Sequence, residues 1–290
     1  MKSPLVSVAL PVFNAEKTVE LAIHSILYQT YSHFELIIIN DGSTDATLSI
    51  IKQFSDSRIR VFSDGQNKGL TIRLNQAIEL SRGIYFARMD ADDISFPERF
   101  ERQVMFLEHN KDVDLLGTGA LIFQGDGKVV STFPVSEKHT EICRRPWLSF
   151  CLVHPSWMGR TAWFRTHRYR LPEVIRAEDQ DLLLRTYETS CFANLTETLL
   201  GYRQDALTPN GTQKIIIGKW HYAKSLAREY SKKGKYLGAL IAPGIQIGKI
   251  IIYFLSVRFG LERLFLRHLN LPVEASELIK WKELWGKLNR

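Results

Sequence analysis

Cysteine is scarce in this 290-residue chain, and its three copies, Cys143, Cys151 and Cys191, lack the paired short spacing of a zinc site. A disulfide framework and a structural zinc therefore have no support, and the thiols read as core or surface residues of a reducing compartment. The N-terminus lacks a signal peptide's long apolar stretch and small-residue cleavage site, so a cytoplasmic location is expected. Internal repeats and low-complexity tracts are absent, which removes fibrous and disordered architectures. No G-x-G-x-x-G follows the first apolar run and no G-x-x-x-x-G-K-[ST] occurs anywhere, leaving a dinucleotide fold and a P-loop without support.

What is present is the composition of an ordinary soluble enzyme, 45% apolar and 24% charged, with length for one large domain or one large and one small. The net charge of +7 is uneven. From Gly218 to Arg290 there are 14 Lys and Arg against 5 Asp and Glu, so the body is slightly acidic and the tail strongly basic. Such a tail suits an anionic surface while the chemistry lies elsewhere.

Apolar runs alternate with helical periodicity through the first half. Leu5–Val12, Phe34–Asn40, Ile59–Phe62 and Ile84–Met89 read as strands, with helices over Thr18–Tyr28 and Ala46–Phe54 and another through Ala77 and Leu80. Strands apolar on both faces predict an α/β fold with a mostly parallel sheet flanked by helices, a type that binds ligands at the carboxyl ends of its strands. The polar motifs obey that rule: Asn14 and Glu16 follow the first strand, Asp41 the second, and Asp90, Asp92 and Asp93 the fourth. Beyond Phe96 the pattern loosens into a mixed half, with a helix over Glu98–His109, strands at Leu115–Phe123 and Val129–Phe133, a helix over Asp179–Glu188 and a last strand at Leu199–Arg203.

Three carboxylates within four residues repel one another unless solvated or bound to a cation. Hard oxygen ligands suit Mg²⁺ or Mn²⁺ together with substrate phosphates, although an acidic turn can also simply cap the next helix. Asn40-Asp41-Gly42-Ser43-Thr44-Asp45 is likewise either a routine turn or an acidic tip that accepts hydrogen bonds from a ribose or base. Glu178, Asp179 and Asp181 open an apolar helix, where acidic residues also serve the helix dipole.

Taken in order and spacing, Val6-Ser7-Val8 through Pro11-Val12-Phe13-Asn14-Ala15-Glu16, Ser25 to Tyr31, Glu35 to Asp45, Asn67-Lys68-Gly69-Leu70 and Ala87-Arg88-Met89-Asp90-Ala91-Asp92-Asp93 resemble the family-two inverting glycosyltransferases of the GT-A fold. The likeness is close from residue 5 to about 110. It implies transfer of a sugar from a nucleoside-diphosphate donor. Pro11, Val12, Asn14 and Glu16 would line the nucleotide pocket, Asp41 would contact the base, and Asp90, Ala91 and Asp92 would meet the donor, with Asp92 the first choice of metal ligand for Mg²⁺ or Mn²⁺. Arg73 either assists the nucleotide or is a surface residue. An inverting displacement needs a general base opposite the leaving group. The resemblance maps it to Asp179, with Asp181 as fallback, and puts Glu178 and His154 on the acceptor side, although a lone histidine such as His154 is more often structural. Lys138–Pro146 and Tyr202–Gly211 are candidate lids.

The expected organisation is a catalytic domain over 1–210, divided into a nucleotide-sugar half at 1–95 and an acceptor half at 96–210, followed by a helical basic and apolar extension at 211–290. Leu237–Leu261 is barely long enough to span a bilayer and carries Lys249 near its middle, which favours a surface-lying or re-entrant segment. Arg258, Arg263, Arg267 and His268 among Phe259, Leu261, Leu264, Phe265 and Leu266 read as an amphipathic basic helix suited to an anionic lipid interface. Nucleic acid is not expected, since no stacking platform or binding motif accompanies the basic residues. The functional expectation is a membrane-associated transferase acting on a glycan or lipid-linked acceptor in cell-surface polysaccharide synthesis, at the cytoplasmic face of the inner membrane. A metal-dependent nucleotidyltransferase and a non-catalytic membrane adaptor stand as the alternatives.

Overall fold

The computed structural model describes residues 3–171, 174–204, 209–259 and 271–289. Its first half alternates strand and helix: β1 (Val6–Val12), α1 (Val19–Leu27), β2 (Phe34–Asn40), α2 (Thr47–Ile51), β3 (Ile59–Ser63), α3 (Leu70–Leu80) and β4 (Tyr85–Arg88). These four strands are parallel neighbours in the order β3-β2-β1-β4. Every residue of β1 and β2 is buried, because helices cover both faces. On one side Ala9, Ile37 and Ile39 meet Leu74, Ala77 and Ile78 of α3. On the other, Val8, Leu10, Leu36 and Ile38 meet Ala22, Ile23 and Ile26 of α1. Alternate side chains thus enter opposite cores, so apolar residues occupy both faces, and the few polar positions, Ser7, Glu35 and Asn40, are buried and hydrogen-bonded.

The second half is mixed, as its looser pattern indicated. It runs through β5 (Ile94–Ser95), α4 (Arg99–His109), β6 (Leu115–Phe123), β7 (Val129–Thr132), α5 (His139–Ile142), a 3-10 turn at His154–Ser156, β8 (Met158–Arg160), α6 (Thr161–Thr166), α7 (Glu178–Thr186) and β9 (Phe192–Arg203). The sheet continues from β4 through β8, β6 and β9 to β5. β8 is antiparallel to both its neighbours, whereas β9 runs parallel to β6. β9 begins at Phe192, well before the expected start at Leu199. The short strands β5 and β8 were not anticipated.

Two long helices follow, α8 (Pro209–Lys232) and α9 (Tyr236–Arg258), joined by a turn at Gly234 with φ 68°. Tyr222, Leu226 and Tyr230 of α8 enter the same core as Leu182 and Leu183 of α7, so the extension is packed on the helix that carries Asp179. A last helix, α10 (Ala275–Leu288), returns to the far edge of the sheet. There Trp281 packs on Phe123 at a ring distance of 4.6 Å and lies so near Gly201 that a Cβ there would sit 2.5 Å from the indole. The predicted basic helix through Arg263, Arg267 and His268 lies outside the described residues.

Candidate active site

The loops after β1 and β2 are stapled together. Asn14 adopts φ 49°, and its Oδ1 accepts the Thr44 backbone N–H at 2.8 Å. Glu16 accepts the Ala46 N–H at 3.0 Å, while its own N–H donates to Asp45. Asn14 and Glu16 therefore shape the pocket they were expected to line, as well as facing it. Gly42, with φ 72°, must be glycine, because a Cβ would stand 2.7 Å from the Asn67 backbone nitrogen.

Asp41 is buried and clamps the third loop. Its carboxylate accepts the backbone N–H groups of Lys68 (2.7 Å) and Gly69 (2.9 Å) and the Arg73 Nε–H (2.7 Å). Arg73 is 1% exposed, which overturns the surface alternative. It bridges Asp41 and Asp64, with the second contact at 2.6 Å. Burial of a guanidinium against two carboxylates fixes this wall of the pocket.

Pro11, Val12, Asn14, Glu16, Asp41, Arg73, Asp90, Ala91 and Asp92 all line one cavity of about 580 Å³, joined by Arg203. Every nucleotide-side residue named from the sequence is thus brought to one place. Asp90 is held by Arg88, which is 2% exposed, through two contacts, 2.5 and 2.7 Å. Asp93 is buried and accepts the Arg203 backbone N–H at 2.9 Å, while its second oxygen finds no partner among the described residues. Asp92 reaches the cavity mouth and has no ion pair among the described residues. Burial and then the neighbouring Asp90 charge push its carboxyl up to about 6.

One oxygen from each of Asp90, Asp92 and Asp93 can be chosen so that all lie within 4.8 Å of one another. Crowded hard oxygens, one orphaned in the interior and one exposed to the cavity, fit a divalent cation of the Mg²⁺ or Mn²⁺ type. His154, Glu178 and Asp179 form a second group of the same compactness, but with a nitrogen in the set.

A second cavity, about 850 Å³, adjoins the first, and Asp90 and Leu70 line both. It is lined by Asp179, the assigned base, and by His154 and Glu178, the two residues assigned to the acceptor side, together with Arg88. Asp179 is half-buried at the start of α7, and burial raises its carboxyl above the ordinary range although Gln180 donates to it at 3.1 Å. Burial and then the Asp179 charge raise Glu178 to about 7. His154 is held well below its usual range by burial and by Arg88, so the ring is neutral. Its Nε2 hydrogen-bonds the Tyr169 hydroxyl at 2.8 Å, and Nδ1 lies 3.8 Å from Glu178.

Asp181 does not reach either cavity. It is fully buried, accepting from Ser225 (2.7 Å) and Arg185 (2.9 Å) with Arg170 at 3.4 Å, and it ties α7 to α8. The fallback base is therefore a structural clamp. The expected lid at Lys138–Pro146 holds α5, and its Pro146 carbonyl accepts the Tyr222 hydroxyl; it lines neither cavity. In the other lid segment Tyr202 ends β9 and lines the second cavity, Pro209 opens α8, and residues 205–208 lie outside the described residues.

Arg88, Tyr169 and Arg203 were not singled out as site residues by sequence. A charged residue inside the apolar run Tyr85–Met89 was a signal for Arg88, since an arginine buried in a strand needs a counter-ion. Nothing near Arg203 in sequence marks it, because its partners Asp92 and Asp93 are reached only through the β9–β5 pairing.

Two adjoining cavities thus meet at an acidic loop beyond the carboxyl ends of the parallel strands. The family model "Glycosyl transferase family 2" matches residues 7–168, and the chain belongs to that family. It is 37% identical to EpsE of Bacillus subtilis over 216 residues, covering 70% of this chain and 74% of the relative. It is 32% identical to the O-antigen biosynthesis glycosyltransferase WbnJ of Escherichia coli over 238 residues, 79% of this chain and 90% of the relative. The fold is that of the mannosyltransferase PcManGT from Pyrobaculum calidifontis, solved with GDP-Man and Mn²⁺, at TM-score 0.59 and 13% identity over 91% of this chain and 81% of that one. The chain is a nucleotide-sugar-dependent glycosyltransferase of GT-A type, which sets aside the nucleotidyltransferase and adaptor alternatives.

Proposed function

We propose that this enzyme is a metal-dependent inverting transferase that moves a sugar from a nucleoside diphosphate to a glycan or lipid-linked acceptor in cell-surface polysaccharide assembly. The observation that carries the reading is the meeting of two cavities at Asp90: the donor-side residues line one, and Asp179 with Glu178 and His154 lines the other. A base on one side of the reacting carbon and a diphosphate on the other is the arrangement an inverting displacement requires. In this reading Asp41 and Arg73 wall the base and ribose end, and Asp90, Ala91 and Asp92 meet the diphosphate and sugar. Asp92, supported by Asp90 and Asp93, would hold Mg²⁺ or Mn²⁺, which when bound offsets the charge growing on the leaving diphosphate oxygens.

Asp179 takes the proton of the acceptor hydroxyl as its oxygen bonds to the anomeric carbon and the carbon–phosphate oxygen bond breaks. Its raised pKa makes it a better base than an exposed carboxylate. Glu178 and the neutral His154 position the acceptor. Residues 1–210 perform the chemistry, and 211–290 hold the enzyme at the cytoplasmic face of the membrane through peripheral contact, without nucleic acid.

The test is a transfer assay on a panel of nucleotide sugars with and without Mn²⁺, reading the anomeric configuration of the product by NMR. One donor should react only with metal and give the inverted anomer. Metal-independent transfer or a retained anomer would refute the assignment.

A further inference from the structure

Helix α9 is built inside out for a soluble protein. Its inward face is made of small and polar residues: Ala242 is buried, and Gln246 is 1% exposed. Leu237, Leu240, Ile241, Ile247, Ile251 and Phe254 are exposed instead, Leu240 by 75%. At about 100° per residue they fall within one arc of the helix and form a single stripe. The stretch Tyr236–Leu255 has a mean hydropathy of 1.6 and is 11% buried, so the apolar side of the helix has almost no protein against it. A water-facing stripe of this length is an interaction surface and not part of the core.

The polar inward face decides between crossing a bilayer and lying on it. Gln246 donates to the Trp147 carbonyl at 2.6 Å and to the Leu148 carbonyl at 3.0 Å, and Lys249 donates to the Leu148 carbonyl at 3.2 Å. A spanning helix would have to withdraw Gln246 and Lys249 from these acceptors and carry them into hydrocarbon. Lying flat, α9 keeps every one of these bonds and buries only its stripe. The companion helix α8 supplies the charge. Lys214, Lys224 and Arg228 are exposed along it, and Lys224 sits 5.5 Å over the half-exposed Trp220 ring. Basic side chains around an interfacial indole match anionic headgroups, whereas a second copy of this chain would set these cations against one another.

The same hairpin is joined to the acceptor cavity. The carbonyls that hold α9 belong to the segment leading directly into Ser149–Pro155, one wall of that cavity. Gly218 of α8 abuts the Arg176 carbonyl, 2.5 Å from where a Cβ would lie, and Arg176 lines the same cavity. The exposed Leu171 and Ile175 stand on its rim.

We infer that α9 is an in-plane membrane helix, its leucine, isoleucine and phenylalanine stripe seated in the acyl boundary of an anionic phospholipid leaflet, and that the hairpin holds the mouth of the acceptor cavity against that leaflet. Resting on the proposed acceptor class, the inference gives the route by which it arrives: the saccharide enters the cavity while its lipid stays in the leaflet beside Leu171 and Ile175. The docking itself stands apart from the identity of the acceptor.

Flotation of the full chain with vesicles tests this, using phosphatidylcholine alone and phosphatidylcholine with phosphatidylglycerol. The wild type should float with the anionic vesicles and much less with the neutral ones. Leu240→Lys combined with Ile251→Lys should lower partition at least about tenfold, and Lys214→Glu with Lys224→Glu should remove the preference for anionic lipid. Met105→Lys, a control at an exposed apolar residue of α4, should float like wild type. All variants should keep wild-type transfer to a short soluble acceptor. Wild type that stays unbound, a double lysine variant that floats normally, or a lipid-free dimer that this variant splits would each overturn the docking. Flotation without any sugar transfer would instead refute the proposed activity and leave the docking intact; transfer without flotation would do the reverse.

Discussion

Asp179→Asn isolates the base. The amide is nearly isosteric with the carboxylate, and α7 has no side-chain cap at Ala177, so the helix loses only a charge near its dipole, about 0.3–1 kcal/mol. Packing should survive, since Asp179 is only half-buried, whereas the buried residues of this helix are Glu178, Asp181, Leu182, Leu183, Leu184 and Thr186. What disappears is the proton acceptor. General base catalysis contributes roughly 10²–10⁴-fold, about 3–5 kcal/mol of barrier, so kcat should fall by that factor. Donor affinity should stay unchanged, because Asp179 lines only the acceptor cavity. The neighbouring Glu178, held up to about 7 by burial and then by Asp179, should titrate lower once that charge is gone. The assay is steady-state transfer across pH, with donor affinity measured separately by calorimetry. Turnover within about fivefold of wild type, far short of the loss general base catalysis implies, would refute the assignment. So would a donor affinity that falls as much as kcat.

Asp181→Asn should instead destabilise, by about 3 kcal/mol, since it leaves Arg170 and Arg185 without their buried counter-ion, and chemical denaturation reads that loss. Asp41→Ala should weaken donor binding and lower the melting temperature together, because the Lys68 and Gly69 amides and Arg73 all lose their acceptor. Gly42→Ala should be more destabilising than a Gly→Ala change in the open Gly65 turn, where a Cβ meets nothing; thermal melts of the two variants compare them directly. Glu35 sets an acid limit. Burial alone would raise its carboxyl, but hydrogen bonds from Ser7, the Arg82 backbone and Arg60 outweigh it and hold the pKa below the ordinary value. A depressed folded-state pKa contributes stability that is present above the unfolded value, about 4.3, and is lost as pH falls through the folded one. Denaturation series between neutral and acid pH should show this loss in wild type and a flatter dependence in Glu35→Gln.

The first half was legible because β1 and β2 are predominantly apolar runs enclosed on both faces, so β2 falls on Phe34–Asn40 as read. β5 and β8 are two and three residues long and owe their strand state to β9, β4 and β6, which no local pattern announces. The early part of β9 was hidden by Thr196 and Glu197, polar and exposed where its register with β6 shifts. In α10 the buried face is carried by Trp281, Leu284 and Leu288 amid five Lys and Glu residues, a narrow stripe whose partner, the far sheet edge, is remote in sequence. The donor-side residues were readable since they cluster at strand ends. Arg88's position between Asp90 and the second cavity was not, because it depends on β8 placing the His154–Ser156 turn beside β4.

The central claim is a cation held at the acidic loop with a nucleoside diphosphate. Titrating Mn²⁺ into the wild type and into Asp92→Asn, with and without nucleoside diphosphate, and following free Mn²⁺ by electron paramagnetic resonance tests it most directly. One nucleotide-dependent Mn²⁺ is expected in the wild type, with at least about tenfold weaker binding in the variant. Equal Mn²⁺ affinity in the two proteins, or binding indifferent to nucleotide, would contradict it.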